Sequence, residues 1–155
     1  MSETRESHHE NKQVQYVVCL LFSDDLTDVC LIKKNRPEWQ KGLLNGIGGK
    51  IEPNESTLAA CIRGFAEETG VEVTDWKLLC FQEALNKSYL VYYFVAKDSA
   101  QLFHVRSTTD EQVGAYTVKY IDTKDLVSSM SWVIPMAVYA LSGKMDKEYI
   151  SVNIW

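Results

Sequence analysis

The sequence is short of positive charge. Sixteen Lys and Arg stand against twenty-one Asp and Glu, which leaves a net charge of −5. A nucleic-acid backbone is held by clustered Lys and Arg, so no nucleic-acid polymer is expected as a partner. Long apolar runs are missing as well. Nothing approaches the roughly 18 apolar residues of a membrane span, and no signal-peptide core is present. No membrane association is expected, and a cytoplasmic location is. The four cysteines, Cys19, Cys30, Cys61 and Cys80, form no C-x-x-C pair, which argues against zinc. Each sits among apolar residues, as reduced core cysteines do, and this points to a reducing compartment. Histidine is scarce. His8 and His9 lie in the polar stretch Met1–Lys12, and His104, the third, reads as structural. No serine has the His and Asp company that marks a nucleophile.

What is present suits one domain. Residues 1–13 read as a frayed tail, and residues 14–155 as the domain. The apolar run Val14–Phe22 and the short run Val29–Lys33, joined by the polar turn Ser23–Asp28, form a hairpin. Asn35–Leu43 is a loop. Leu44–Ile51 carries Gly46, Gly48 and Gly49, a density that implies bulges or close backbone approach. A helix follows, capped by Ser56 or Thr57, with Leu58, Cys61, Ile62 and Phe65 on its apolar face and Gly70 at its C-terminal cap. Trp76–Glu83, Ser88–Ala96 and Val118–Ile121 are further strands. Trp132–Leu141 is a final helix, with Pro135 in its first turn. This order predicts an α+β fold, a mixed sheet packed by helices.

The stretch with chemical content is Gly49 to Val71, GKIEPNESTLAACIRGFAEETGV. Glycines let the backbone bend and expose carbonyls, and a helix follows. Glu67 and Glu68 lie on it within a turn of Arg63, whose planar fork can hold a carboxylate in fixed geometry. Two carboxylates beside a loop carbonyl make a hard oxygen site suited to Mg²⁺ or Mn²⁺. An acidic pair alone is more commonly solvated charge at a helix end.

The spacing adds to that reading. Gly49, Glu55, Arg63, Phe65, Glu67, Glu68, Gly70 and Val71 stand as in the Nudix box, and the segment closely resembles it. The likeness extends over roughly residues 14–142, through the glycine-rich strand at 44–52, the strand and turn at 118–126 and the helix start at 131–136. The resemblance implies a Nudix-like α/β/α sandwich. It also implies metal-dependent hydrolysis of nucleoside diphosphate-linked compounds, here nucleoside triphosphates, by a pyrophosphohydrolase using Mg²⁺ or Mn²⁺. It implies that the Gly49 carbonyl, Glu67 and Glu68 hold metal, that Arg63 orients the glutamates, that Glu55 braces the loop and that Gly70 ends the helix. A nucleotide is the implied partner, and homodimers are common in the family.

One position departs from the pattern. Gly64 stands where the family has a glutamate that commonly binds metal and in some members acts as base. Three accounts compete: an inactive variant, natural or introduced; replacement by another carboxylate; or a module that binds nucleotide without cleaving it. For the second, Glu111 is favoured over Asp110 as ligand or base, since Nudix proteins place an acidic residue in this region. Asn45 resembles an Asn that contacts the base in oxidised-purine triphosphatases, although a turn role suits it equally. The segment Ser128–Ser131 lacks the carboxylates those enzymes use there. Lys33 and Arg36 are candidates for phosphate contact, with solvated surface as the rival reading. Trp39 is a candidate for base stacking, with core packing as its rival. The aromatic run Tyr89–Phe94 reads as an ordinary strand, and Trp132, Tyr139 and Trp155 as ordinary packing.

Overall fold

The computed structural model describes residues 12–144 and 150–154. His8, His9, Trp155 and nearly all of the expected N-terminal tail lie outside them. Strands β1 (Val14–Phe22) and β2 (Asp28–Lys33) form the expected hairpin. Its turn is closed by Ser23, whose hydroxyl accepts from the Asp28 amide at 2.9 Å. Next come β3 (Leu44–Asn45) and β4 (Ile47–Lys50). They are two halves of one extended stretch that changes partner at Gly46, from β2 to β1. Gly48 permits the close approach to β1, because a Cβ there would stand 2.2 Å from the Val17 carbonyl oxygen. Helix α1 (Thr57–Thr69) follows. The rest comprises β5 (Lys77–Ala84), β6 (Tyr89–Lys97), the short α2 (Ser99–Leu102), β7 (Gln112–Thr117), α3 (Met130–Leu141) and β8 (Ile150–Ile154).

The sheet runs β3-β2-β1-β6-β5-β8, with β4 also on β1 and β7 also on β2. The pairs β1·β6 and β5·β8 are parallel and the others antiparallel, so the sheet is mixed, as expected. Side chains alternate along a strand, and β1 divides its residues accordingly. Val17, Cys19 and Leu21 join Cys61 and Phe65 of α1 in one core. Leu20 and Phe22 join Met130 and Val133 of α3 in the other. The sheet is thus the middle layer of an α/β/α sandwich. Phe65 and Met130 are fully buried, and each such side chain contributes roughly 1.5–3 kcal/mol. All four cysteines are buried and free. The Sγ atoms of Cys19 and Cys61 meet at 2.7 Å, where α1 lies on β1. Among the described residues, no helix is long and apolar enough to cross a membrane.

Several elements differ from expectation. Val118–Tyr120 is a 3₁₀ turn, and the strand of this region is β7, just before it. The β7·β2 ladder ends where the Val118 amide turns to the Thr27 carbonyl at 2.9 Å. Leu58 is 41% exposed. The buried face of α1 is instead Ala60, Cys61, Gly64, Phe65 and Thr69. Trp76 precedes β5 and donates its indole N–H to the Val73 carbonyl at 2.7 Å. Helix α3 starts at Met130, so Pro135 is its sixth residue and lies beyond the first turn. Tyr139 is about half exposed, and His104 is exposed with its ring against Phe103. Trp132 does pack, edge to face, on Tyr93.

Candidate active site

The turn between β4 and α1 is built around one ion pair. The Arg63 guanidinium grips Glu55 in a fork, Nε to Oε2 at 2.7 Å and Nη2 to Oε1 at 2.8 Å. The same Nη2 donates to the Lys50 carbonyl at 3.2 Å, and Nη1 donates to Glu67 Oε2 at 3.1 Å. Glu55 in turn accepts from the Glu52 amide at 3.1 Å. One side chain therefore ties together the strand end, the turn and a helix carboxylate. The Arg63 hydrogen bonds hold the Glu55 carboxyl down to about 2, and Glu55 pushes Arg63 further up. Ser56 caps α1, its hydroxyl accepting from the Ala59 amide at 3.0 Å. Gly70 ends the helix in the left-handed region, at φ 73°.

Glu68 faces a second group of residues. Burial, and then the charge of Glu111, push its carboxyl above the usual range, against an opposing pull from Lys34. Glu111 is only 5% exposed. It accepts from Lys34 Nζ at 3.0 Å and from the Asn35 amide at 2.6 Å. Burial raises the Glu111 carboxyl, but the Asn35 N–H and the Lys34 ammonium outweigh it and hold the group below its usual range. Asp110 stays on the surface, where it pairs with Arg36. Of the two, Glu111 is the buried carboxylate and Asp110 the exposed one.

A cavity of about 680 Å³ opens on the sheet face opposite α1, beside the start of α3. Lys34 and Gly49 line it, and it thereby reaches the carboxylate group. Trp39, Asn45, Gln82 and Tyr93 line it too. Trp39 is 67% exposed, which removes the core reading. Asn45 donates to Gln40 Oε1 at 3.1 Å and accepts from the Gly46 amide at 2.8 Å. Lys33 and Arg36 do not line the cavity. Lys33 is exposed at the end of β2, and Arg36 is committed to Asp110. Of the three cations here, Lys34, one residue on from Lys33 and facing Glu111, is the one that lines the cavity.

Lys34, Gln82 and Tyr93 were missed from sequence. A signal existed for Gln82, the one amide in the otherwise apolar run Leu78–Gln82 of β5. Tyr93 belonged to a run with strong strand character that gave no sign of which face opened to a cavity.

Among the described residues, no group of three or more His, Cys, Asp or Glu is placed to hold a metal ion. The donor set still fits one kind of ion. Mg²⁺ keeps several waters and takes one or two carboxylates together with substrate phosphates. Glu67 and Glu68 are such a pair, and the repulsion between Glu68 and Glu111 is of the kind a cation relieves.

The comparisons bear on the whole arrangement. The family model of the NUDIX domain matches residues 12–138. A search among curated proteins finds no match. Among solved structures, the chain is similar to a MutT from work on Aliivibrio salmonicida and Vibrio cholerae. That match has 18% identity and a TM-score of 0.66, and covers 82% of this chain and 97% of the other. It is similar to a NUDIX hydrolase from Nitrosomonas europaea at 16% identity and a TM-score of 0.66, covering 92% and 80%. A MutT from Bacillus halodurans matches at 18% identity and a TM-score of 0.62, covering 90% and 89%. At such identities the structures speak for the fold, whereas the family match spans most of the sequence and includes the box built around Arg63. The chain belongs to the Nudix family.

Proposed function

We propose that the protein is a metal-dependent hydrolase of nucleoside diphosphate-linked compounds, acting on nucleoside triphosphates as a pyrophosphohydrolase. The observation that carries this is the Arg63 fork, which fixes Glu55 and Glu67 on the helix that also bears Glu68, across the sheet from a cavity that is large enough for a nucleoside and reaches towards them at Gly49 and Lys34. Pockets for ligands of that size commonly span about 300–1,000 Å³.

In this reading Glu67 and Glu68, with the Gly49 carbonyl, hold Mg²⁺ or Mn²⁺. Such an ion supplies Lewis acidity and lowers the pKa of bound water. The chain's own groups provide positioning and charge, which is most of what phosphoryl chemistry asks of a protein. Water oxygen adds to phosphorus, the anhydride P–O bond breaks, and the leaving phosphate or pyrophosphate takes the electron pair. Glu111 takes the place of the carboxylate that Gly64 lacks and accepts the proton of that water. A phosphate entering beside Gly49 competes with Glu111 for the Lys34 ammonium. Loss of that partner lets burial raise the Glu111 carboxyl towards the range of a working base. Asn45 and Trp39 contact the base.

A second reading is favoured by Gly64 itself. It lies on the buried face of α1, yet a Cβ there would meet nothing within 4 Å. A side chain could start there without a clash at its Cβ, yet the carboxylate is missing, as in a module that binds nucleotide without cleaving it. The test is a hydrolysis panel of nucleoside triphosphates, dinucleoside polyphosphates and nucleotide sugars with Mg²⁺ or Mn²⁺. It compares the native chain with Gly64→Glu and Glu111→Gln. Turnover by the native chain that collapses in Glu111→Gln supports the enzyme reading. Turnover by Gly64→Glu alone supports the binding module.

A further inference from the structure

The cavity carries one charged side chain among its lining residues, Lys34, and no carboxylate. Its remaining polar groups are amides and hydroxyls, and their hydrogen bonds set which way they face. Gln82 is 5% exposed, a buried amide within β5. Its Oε1 accepts from the Tyr93 hydroxyl at 2.6 Å. Burial pushes the Tyr93 phenol up to about 12, so it keeps its proton. The acceptor end of Gln82 is thus engaged from behind. Its Nε2 has no partner among the described residues, and none of their fully buried side-chain nitrogens or oxygens lacks one. Gln82 lines the cavity, and the nitrogen is the end of its amide that Tyr93 leaves free to meet a ligand there. Asn45 points the same way. Its Oδ1 takes the Gly46 amide, and its Nδ2 occupies the Gln40 oxygen, which leaves the Gln40 nitrogen as donor. An amide has two donor protons on one end and lone pairs only on the other, so a cavity arranged this way presents donors.

We infer that the Tyr93–Gln82 pair makes this a selective pocket for a planar base carrying a keto oxygen, discriminating against a base that offers an amino group at the same position. This rests on the nucleotide reading of the site and deepens it. Gln82 is the group that touches the base. Tyr93 is a positioning residue whose donated hydrogen bond favours the amide oxygen on its own side. An amino group facing the Gln82 nitrogen sets donor against donor and leaves both unpaired, a mismatch worth roughly tenfold to a hundredfold in affinity.

The test uses calorimetric titration of the full chain, with Mg²⁺, against non-cleavable α,β-methylene analogues in two matched pairs: inosine against adenosine triphosphate, and uridine against cytidine triphosphate. Each pair differs in keto against amino at one ring position. The expected result is tighter binding of inosine over adenosine and of uridine over cytidine, by about tenfold or more. Gln82→Met should erase the preference, by weakening the inosine and uridine analogues and relieving the mismatch with the adenosine and cytidine ones. Tyr93→Phe, which frees the amide to rotate, should shrink it, with folding checked by thermal melts. Equal binding within both pairs, or amino preferred over keto, overturns the inference and leaves the nucleotide reading standing. An equal loss of affinity for all four analogues in Gln82→Met also overturns it, because that is what a structural Gln82 would do. Failure of all four to bind the native chain removes the nucleotide reading, and this inference with it.

Discussion

Lys34 and Glu111, 77 residues apart, meet at 3.0 Å and are largely shielded from water, with side chains 21% and 6% exposed. The contact joins the end of β2 to the start of β7 and sets a cation between the cavity and the carboxylates. Removing Lys34 leaves Glu111 buried with the Asn35 amide as its remaining partner.

Lys34→Met should therefore destabilise the fold by about 1–3 kcal/mol, the usual cost of stranding one buried partner. Urea titration would show this as a lower midpoint with unchanged slope. Nucleotide affinity should fall as well. A variant as stable as the native chain would mean that Glu111 is solvated and that the pair holds nothing in place.

Acid sensitivity should trace to the Arg63 fork. Glu55 sits at about 2 when folded, against an ordinary 4.5. A carboxyl lowered by folding contributes stability that is complete above its unfolded pKa and is lost as the pH falls through the folded one. The contribution is therefore full above about pH 5 and fades towards pH 2. Glu55→Gln should flatten the stability profile across that window and leave its slope near neutrality unchanged. Arg63→Lys should do nearly the same, because an ammonium cannot make both arms of the fork. An acid limb identical to the native one in both variants would exclude this origin.

Two glycines on α1 should respond in opposite senses. At Gly64 the space is open and the backbone helical, so Gly64→Ala should stabilise by up to about 1 kcal/mol. At Gly70, φ is positive, and a Cβ would stand 2.5 Å from the Arg106 guanidinium carbon. Gly70→Ala should cost about 1–2 kcal/mol from the backbone alone. Thermal melts of the two variants decide the matter, and equal shifts would contradict the placement of both.

How much of this was legible in the sequence depends on the range of the interactions. Ser56, Glu55, Arg63 and Gly70 lie within fifteen residues of one another, so the caps of α1 were legible locally, while the roles expected of Glu55 and Arg63 came from the likeness to the Nudix box. The hairpin of β1 and β2 was equally local. Lys34 was not legible, because its neighbour Lys33 is the same residue type. Only the pairing of β2 with β7 shows which of the two turns to Glu111. Val118–Ile121 looked like a strand by composition, but the ladder on β2 runs through Gln112–Thr117, where Gly114 and Ala115 weaken the pattern. Leu58 fits a helical stripe, yet it is left partly uncovered where α1 begins. Gln82 and Tyr93 become meaningful only when β5 and β6 lie side by side and α3 stops short of covering them.

The alternation along β1 has a further consequence. Odd residues from Val17 to Leu21 support the helix that bears the carboxylates, and even ones from Val18 to Phe22 floor the opposite face, where the cavity lies. In the proposed reading, bond breaking and base choice would fall on two sides of one wall, so Gln82 or Tyr93 could be exchanged while the Arg63 fork stays intact. The strand in the middle has no such liberty. One residue inserted into β1 would hand each face the other's side chains, so this strand should tolerate substitution by similar apolar residues and resist any change in length.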